Sequence, residues 1–312
     1  MTARTPRTRL LAACAVLASA TLALTACGSS GDSTSGSGST GASAGATVKA
    51  VTADPALAAL VPADIKSGGK LVVGSDASYA PNEFQDDKGT IVGMDVDLAN
   101  AIAAKLGLKA EVQNAGFTAI IPGIGANKYQ LGMSSFTDTK EREQTVDMVT
   151  YFTAGTASAV KKGNPDKISA DDLCGKKIAV QTGTTQADAI VDVINPACVK
   201  AGKPTVPNDG DKFDLQTDVT NAVVSGRDQV MMADSPVIDY ALKQTGGQLE
   251  KLGATTDSAP YGIALAKGSA LTPAVQKAVQ ALMDDGTYKE ILQKWGVDAG
   301  AIDKAQLNGA TS

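Results

Sequence analysis

Arginine is rare in this chain and placed with purpose. Five arginines stand against 23 lysines, and three of the five, Arg4, Arg7 and Arg9, crowd the N-terminus. A chain that uses lysine for ordinary surface charge keeps arginine where a planar, two-pronged donor is needed, as for a carboxylate. Arg142 lies about one helical turn past Ser134-Ser135-Phe136-Thr137; it reads as a carboxylate ligand or as a solvated helix residue. Arg227 follows Gly226, where a cation favours a helix dipole, and reads as structural. Asp234 ends an apolar run, where it could receive an ammonium or hydrogen-bond the next helix's N–H groups. Thr182-Gly183-Thr184-Thr185 offers N–H groups and hydroxyls to an anion, or plain N-capping. It lacks a Gly-Lys-Ser/Thr ending, so a carboxylate suits it better than a triphosphate. Tyr79 and Phe117 are scarce aromatics that could flank a ligand or sit in the core. Histidine is absent, which excludes Ser–His and Cys–His catalysis and imidazole zinc sites. No metal and no cofactor is expected, and Gly123-x-Gly125 is too short for a dinucleotide fingerprint.

Alternating strands and helices must position these residues. Short apolar strands are predicted at 71–74, 110–113, 131–134, 177–181, 229–233 and 261–266. Helices are predicted at 95–106, 117–126, 185–194 and 218–225, with a start at Asp138 as N-cap, a start at Ser235-Pro236, and a last helical region from Thr272 past Trp295. Such alternation makes an α/β fold of parallel sheets with helices on both faces. Ligands in such sheets sit beyond the carboxyl ends of the strands. The loops after Gly74, Met133, Gln181 and Ala233 are all polar, and they carry Asp76 and Tyr79, Ser134 and Ser135, Thr184 to Gln186, and Asp234.

The N-terminus points outward from the cytoplasm. A cationic head is followed by an apolar stretch from Leu10 to Leu24, then Ala26-Cys27, then a Gly/Ser/Thr/Ala tract to Gly45. The order resembles a bacterial lipoprotein signal, in which the cysteine is lipidated and becomes the first mature residue. The alternative is an ordinary secretory signal with a chance cysteine. The chain of 312 residues carries a formal charge of −5, and loss of the three arginines takes it to about −8. That balance is poorly suited to nucleic acid. Cys14 leaves with the signal and Cys27 takes lipid. Cys174 and Cys198 then remain in an oxidising compartment, to be paired or to lie as two buried thiols.

Ordered motifs carry a resemblance. Leu71-Val72-Val73-Gly74-Ser75-Asp76-Ala77-Ser78-Tyr79-Ala80-Pro81 precedes Val92-Gly93-Met94-Asp95-Val96-Asp97-Leu98-Ala99. Phe117-Thr118-Ala119-Ile120-Ile121-Pro122, Ser134 through Arg142, Gln181 to Gln186, Asp234-Ser235-Pro236-Val237 and Pro260-Tyr261-Gly262-Ile263-Ala264 follow in order. Together they resemble the polar amino-acid substrate-binding proteins of ABC importers, solute-binding family 3, over Lys70 to Val297. The resemblance implies a two-lobed periplasmic-binding-protein-like fold of type II, with two mixed sheets and a two-strand hinge near 154–157 and 253–260. It divides the chain into a signal at 1–26, a lipidated cysteine and tether at 27–66, lobe 1 at 67–155 and 256–312, and lobe 2 at 156–255.

The resemblance also assigns roles. Arg142 would hold the ligand α-carboxylate, helped by Thr137 and Thr185. Asp234 would take the α-ammonium with Ser135 and Thr137. Tyr79 and Phe117 would flank the side chain, and Asp76, Asn82 and Gln181 would face its tip. Ser134, Thr184 and Gln186 complete the expected site. Many relatives carry an aromatic where Asn82 stands, so a polar ligand side chain is expected here. The implied partners are a membrane permease and an amino acid, with the membrane met only through the lipid and the protein itself monomeric. Rival readings are an exported dehydratase or lyase of the same fold acting on a small carboxylic acid, with Glu83, Asp76 or Lys140 as acid or base, and a ligand sensor without transport.

Overall fold

The computed structural model describes residues 48–311; the readings on residues 1–47, the signal and Cys27 among them, lie outside the described residues. Eleven strands are formed there: β1 (Lys70–Ser75), β2 (Ser78–Tyr79), β3 (Glu83–Gln85), β4 (Ile91–Val92), β5 (Lys109–Asn114), β6 (Leu131–Gly132), β7 (Val146–Lys161), β8 (Ile178–Gln181), β9 (Asp211–Phe213), β10 (Val230–Asp234) and β11 (Leu249–Ala266). The main sheet runs β5-β1-β6-β11-β7-β10-β8-β9, and β2-β3-β4 form a small antiparallel sheet. Its two ends are parallel, β5-β1-β6 on one side and β10-β8-β9 on the other. The antiparallel pair β7 and β11 runs between them. β8 and β10 are buried at every residue and read as apolar runs, as interior parallel strands do.

The two expected sheets are thus joined into one, because β7 and β11 are 16 and 18 residues long and serve both halves. The pair changes register between Leu252 and Thr256, Thr256 and Ala259, and Tyr261 and Gly262, where the hinge was expected. The backbones crowd here: a Cβ on Gly155 would lie 2.4 Å from the Thr256 carbonyl oxygen, so only glycine fits.

Separate cores fill the two halves. One packs β1, β6 and the adjoining parts of β7 and β11 against the helices Met94–Lys105, Thr272–Asp284 and Thr287–Trp295. Others pack β8, β10 and the far part of β7 against Gln216–Ser225 and Ser235–Gln244. Helix Met94–Lys105 turns a face of Val96, Leu98, Ala99, Ile102 and Ala103 inward, and Gly107 ends it in the left-handed region. Cys174 and Cys198 form a disulfide across 24 residues of sequence, which the chain-entropy account values at about 3 kcal/mol.

Several expectations are corrected. The packed chain begins before Lys70: Val48, Val51, Leu57 and Ile65 lie against the first core, and Pro55–Ala58 and Ala63–Gly68 are short helices. Asp138 caps no helix; the helical turn there is only Arg142–Thr145, and the Asp138 carboxylate instead accepts the N–H of Gly309. The helix from Thr185 runs on through a π-helical turn at Ile190–Ile194 to Lys200. Ser235 is the first residue of its helix, not the cap. The last helical region breaks at Gly286 and ends at Trp295. β6 stops at Gly132, and β11 starts twelve residues before Tyr261.

Candidate functional site

The polar loops converge where the sheet order predicts, at the carboxyl ends of β1, β6, β8 and β10. They enclose a cavity of about 10 Å³, room for about one water. Tyr79, Phe117, Ser134, Ser135, Thr137 and Arg142 line it from the first half, and Gln181, Thr184, Thr185, Gln186 and Asp234 from the second. The two halves are drawn together around it, leaving no room for a ligand of amino-acid size.

Arg142 reaches across the gap. Its Nη1 donates to the Thr137 carbonyl at 2.8 Å, and its Nη2 to the Gly183 carbonyl of the other half at 3.1 Å. Its guanidinium lies over the rings of Phe117 and Phe136, 5.7 and 5.5 Å from their centroids. Those rings stack on each other at 4.6 Å. Burial lowers the Arg142 pKa from its ordinary value. No carboxylate lies within ion-pair distance of Arg142 among the described residues.

Asp234 faces it from the end of β10. Its side chain caps nothing. Oδ1 accepts from Gln186 Nε2 at 2.8 Å and Oδ2 from the Tyr261 hydroxyl at 2.7 Å, while its N–H donates to the Tyr79 hydroxyl at 3.2 Å. Burial raises its pKa, opposed by the hydrogen bonds from Tyr261, Tyr79 and Gln186 and by the charge of Arg142. The site therefore holds a cation and an anion, each hydrogen-bonded, neither ion-paired. Such an arrangement suits a ligand bearing both charges. Thr184 is the N-cap of its helix, accepting the Ala187 N–H at 3.3 Å, and also donates to the Gln181 carbonyl.

Two expected residues lie one layer back. Asp76 does not line the cavity: its Oδ1 accepts from Ser78 Oγ at 2.6 Å, and Oδ2 from the Phe117 N–H at 2.9 Å and from Gln181 Nε2 at 3.0 Å. Its lone pairs are thus spent on holding Phe117 and linking the halves. Asn82 is fully buried, and its Nδ2 donates to Ser135 Oγ at 2.9 Å. The reason is its backbone: a Cβ on Gly93 would sit 2.1 Å from the Asn82 oxygen, so that glycine clamps residue 82 beneath the helix Met94–Lys105.

Tyr261, Phe136 and Asp95 were missed from sequence, and Glu83 was expected only as an acid or base of the rival enzymatic reading. Tyr261 and Phe136 hold Asp234 and Arg142 as described. Glu83 and Asp95 form a buried carboxyl pair behind the serines. Glu83 accepts from Ser134 Oγ at 2.8 Å; Asp95 accepts the Ser135 N–H at 2.8 Å and the Tyr151 hydroxyl at 2.8 Å. Burial, with the neighbouring Asp95, drives Glu83 well above the usual carboxylate range, and burial pushes Asp95 up to about 6. Burial and the nearness of two carboxyls both favour the protonated form in this pair. A carboxylate inside an apolar helix pattern, as at Asp95, was the available signal.

Residues 71–298 match the bacterial extracellular solute-binding proteins, family 3. The arginine-binding protein ArgT of Corynebacterium glutamicum is 32% identical over 254 residues, 81% of this chain and 83% of its own. The L-cystine-binding protein TcyJ of Escherichia coli is 30% identical over 74% of this chain and 84% of its own. Among solved structures, an ancestral arginine-binding protein bound to arginine is 37% identical with a TM-score of 0.66, covering 73% of this chain and 98% of its own. An ancestral amino acid-binding protein, a precursor of cyclohexadienyl dehydratase, is 34% identical with the same TM-score, covering 74% and 97%. With its two-lobed type II fold and its polar cleft between the lobes, the chain belongs to family 3 of the bacterial extracellular solute-binding proteins.

Proposed function

We propose that this protein is a lipid-anchored receptor on the outer face of the cell membrane, which captures a polar amino acid between its lobes and delivers it to an ABC importer permease. The observation that carries the reading is Arg142, a guanidinium drawn into the cleft without a carboxylate partner and set opposite Asp234. In this reading Arg142, with Thr137 and Thr185, binds the α-carboxylate, and Asp234, with Ser135 and Thr137, binds the α-ammonium. Tyr79 and Phe117 flank the side chain, Gln181, Ser134, Thr184 and Gln186 close around it, and Cys27 carries the lipid. The lobes divide near residues 155 and 255, and the register shifts of β7 and β11 let them move apart. Ligand contacts from both lobes stabilise the closed form relative to the open one.

L-Arginine is the first probe, because ArgT and the ancestral protein are described as arginine-binding and the mature chain is acidic. Calorimetry on the full chain with L-arginine, L-glutamine and L-cystine tests the reading, with Arg142→Ala as control. Binding undiminished in Arg142→Ala would sink the carboxylate assignment. An enzymatic reading has one observation in its favour, the likeness to a dehydratase precursor. Glu83 and Asp95 are buried outside the cavity, which weighs against a proton-transfer role. Product release from a bound carboxylic acid would overturn the receptor reading.

A further inference from the structure

The C-terminal residues return to the site by a route the family match does not include. That match ends at residue 298, yet Gln306–Ala310 runs along the edge of β7. The Thr150 N–H donates to the Gln306 carbonyl at 2.8 Å, the Asn308 N–H to the Met148 carbonyl at 2.7 Å, and the Met148 N–H to Asn308 Oδ1 at 2.9 Å. This covers the half of β7 that β10 does not pair. Past that edge the strap reaches two carboxylates. The Gly309 N–H donates to Asp138 Oδ2 at 2.8 Å, and the Ala310 N–H to Glu143 Oε1 at 2.9 Å.

Those two residues bracket Arg142. Asp138 follows Thr137, whose carbonyl holds Arg142 Nη1; Glu143 follows Arg142 directly and is tied to Lys140 at 3.1 Å. Asp138 is fully buried, and its Oδ1 has no hydrogen-bond partner. A buried carboxylate with a vacant oxygen depends heavily on the single N–H that it does receive. The helical turn Arg142–Thr145 is too short to hold itself. Thr139, Lys267 and the strap hold it from outside: Lys267 Nζ donates to the Glu143 carbonyl, and the strap to the Glu143 side chain.

We propose that the strap Gln306–Ala310, acting through Asp138 and Glu143, is a positioning element that holds Arg142 ready for the ligand carboxylate; this rests on the receptor reading above. The strap does not touch the cavity, so its effect passes through the segment 134–145.

The test compares the full chain with one lacking residues 306–312, using L-arginine in calorimetry and amide hydrogen exchange without ligand. Removal of the strap is expected to weaken L-arginine binding by about tenfold. It should also speed exchange across 134–145 while leaving β10 unchanged. Asp138→Ala should reproduce part of the loss, whereas Asp138→Asn, whose amide oxygen still accepts the Gly309 N–H, should bind like wild type. If the shortened chain fails to fold, the pair Asp138→Ala and Asp138→Asn carries the comparison, because it changes only the acceptor of the Gly309 N–H. Unchanged exchange across 134–145 overturns the proposal, as does equal loss in Asp138→Asn and Asp138→Ala. If the intact chain binds none of the amino acids tried, the receptor reading fails, and the exchange comparison still decides the strap.

Discussion

Two buried polar clusters meet at Ser134 and Ser135, and they differ in what they lack. Behind the serines, Glu83 and Asp95 are complete: hydroxyls and an N–H from Ser134, Ser135 and Tyr151 satisfy them. In front, Arg142 and Asp234 keep opposite charges apart, each with neutral hydrogen-bond partners only. A self-satisfied network stabilises and orients; an incomplete one is completed by something from outside. The difference assigns support to the first cluster and capture to the second, although both are buried and acidic residues lie in each.

Mutations should separate the clusters. Arg142→Ala should have the largest effect, lowering L-arginine affinity at least about 30-fold, since loss of a buried charge partner costs about 2–5 kcal/mol; calorimetry reads this directly. Asp234→Asn keeps an acceptor for Tyr261 but loses the charge, and should weaken binding by about 10- to 100-fold, in line with about 1.5–3 kcal/mol for a hydrogen bond to a charged group. Tyr151→Phe strikes the rear cluster, and denaturant unfolding should show a loss of about 1–3 kcal/mol from the unpaired carboxyl, with affinity nearly unchanged. A large affinity loss in Tyr151→Phe with intact stability would erase the distinction between the clusters.

The smallest effect is on pH dependence. Burial pushes Asp95, Asp138 and Asp228 up to about 6 from an ordinary 3.8. The folded state therefore holds these protons more tightly than the unfolded chain does. Their contribution to stability is full below about pH 4 and is lost as pH rises through about 6. The unfolding midpoint should accordingly fall between pH 5 and pH 8. A midpoint that rises across that window would show that these carboxyls titrate normally.

Much of the cleft was legible because its determinants are local. Strands end in polar loops, and a sheet with parallel strands gathers such loops, so the convergence of Arg142, Asp234 and most of their neighbours follows from the order of elements. Asp76 and Asn82 were misplaced by one layer. Their residue types suit a ligand, but whether a side chain points forward depends on Gln181, Ser135 and Gly93, which come from distant segments. Tyr261 was legible only as part of a strand, because its partner Asp234 meets it through the register of β7 and β11. The Asp138 cap was misread for a related reason. A capping pattern is a local bid for N–H groups, and the Gly309 N–H, 171 residues away, outbids it.

The sequence alone determined the alternation of elements, the economy of arginine and the polar character of the cleft. These follow from periodicity, composition and counting. Tertiary structure decided which polar groups are satisfied and which await a ligand. Satisfaction depends on hydrogen bonds made between segments far apart in the chain, and the strap that reaches Asp138 and Glu143 is visible only once β7 has an edge to carry it.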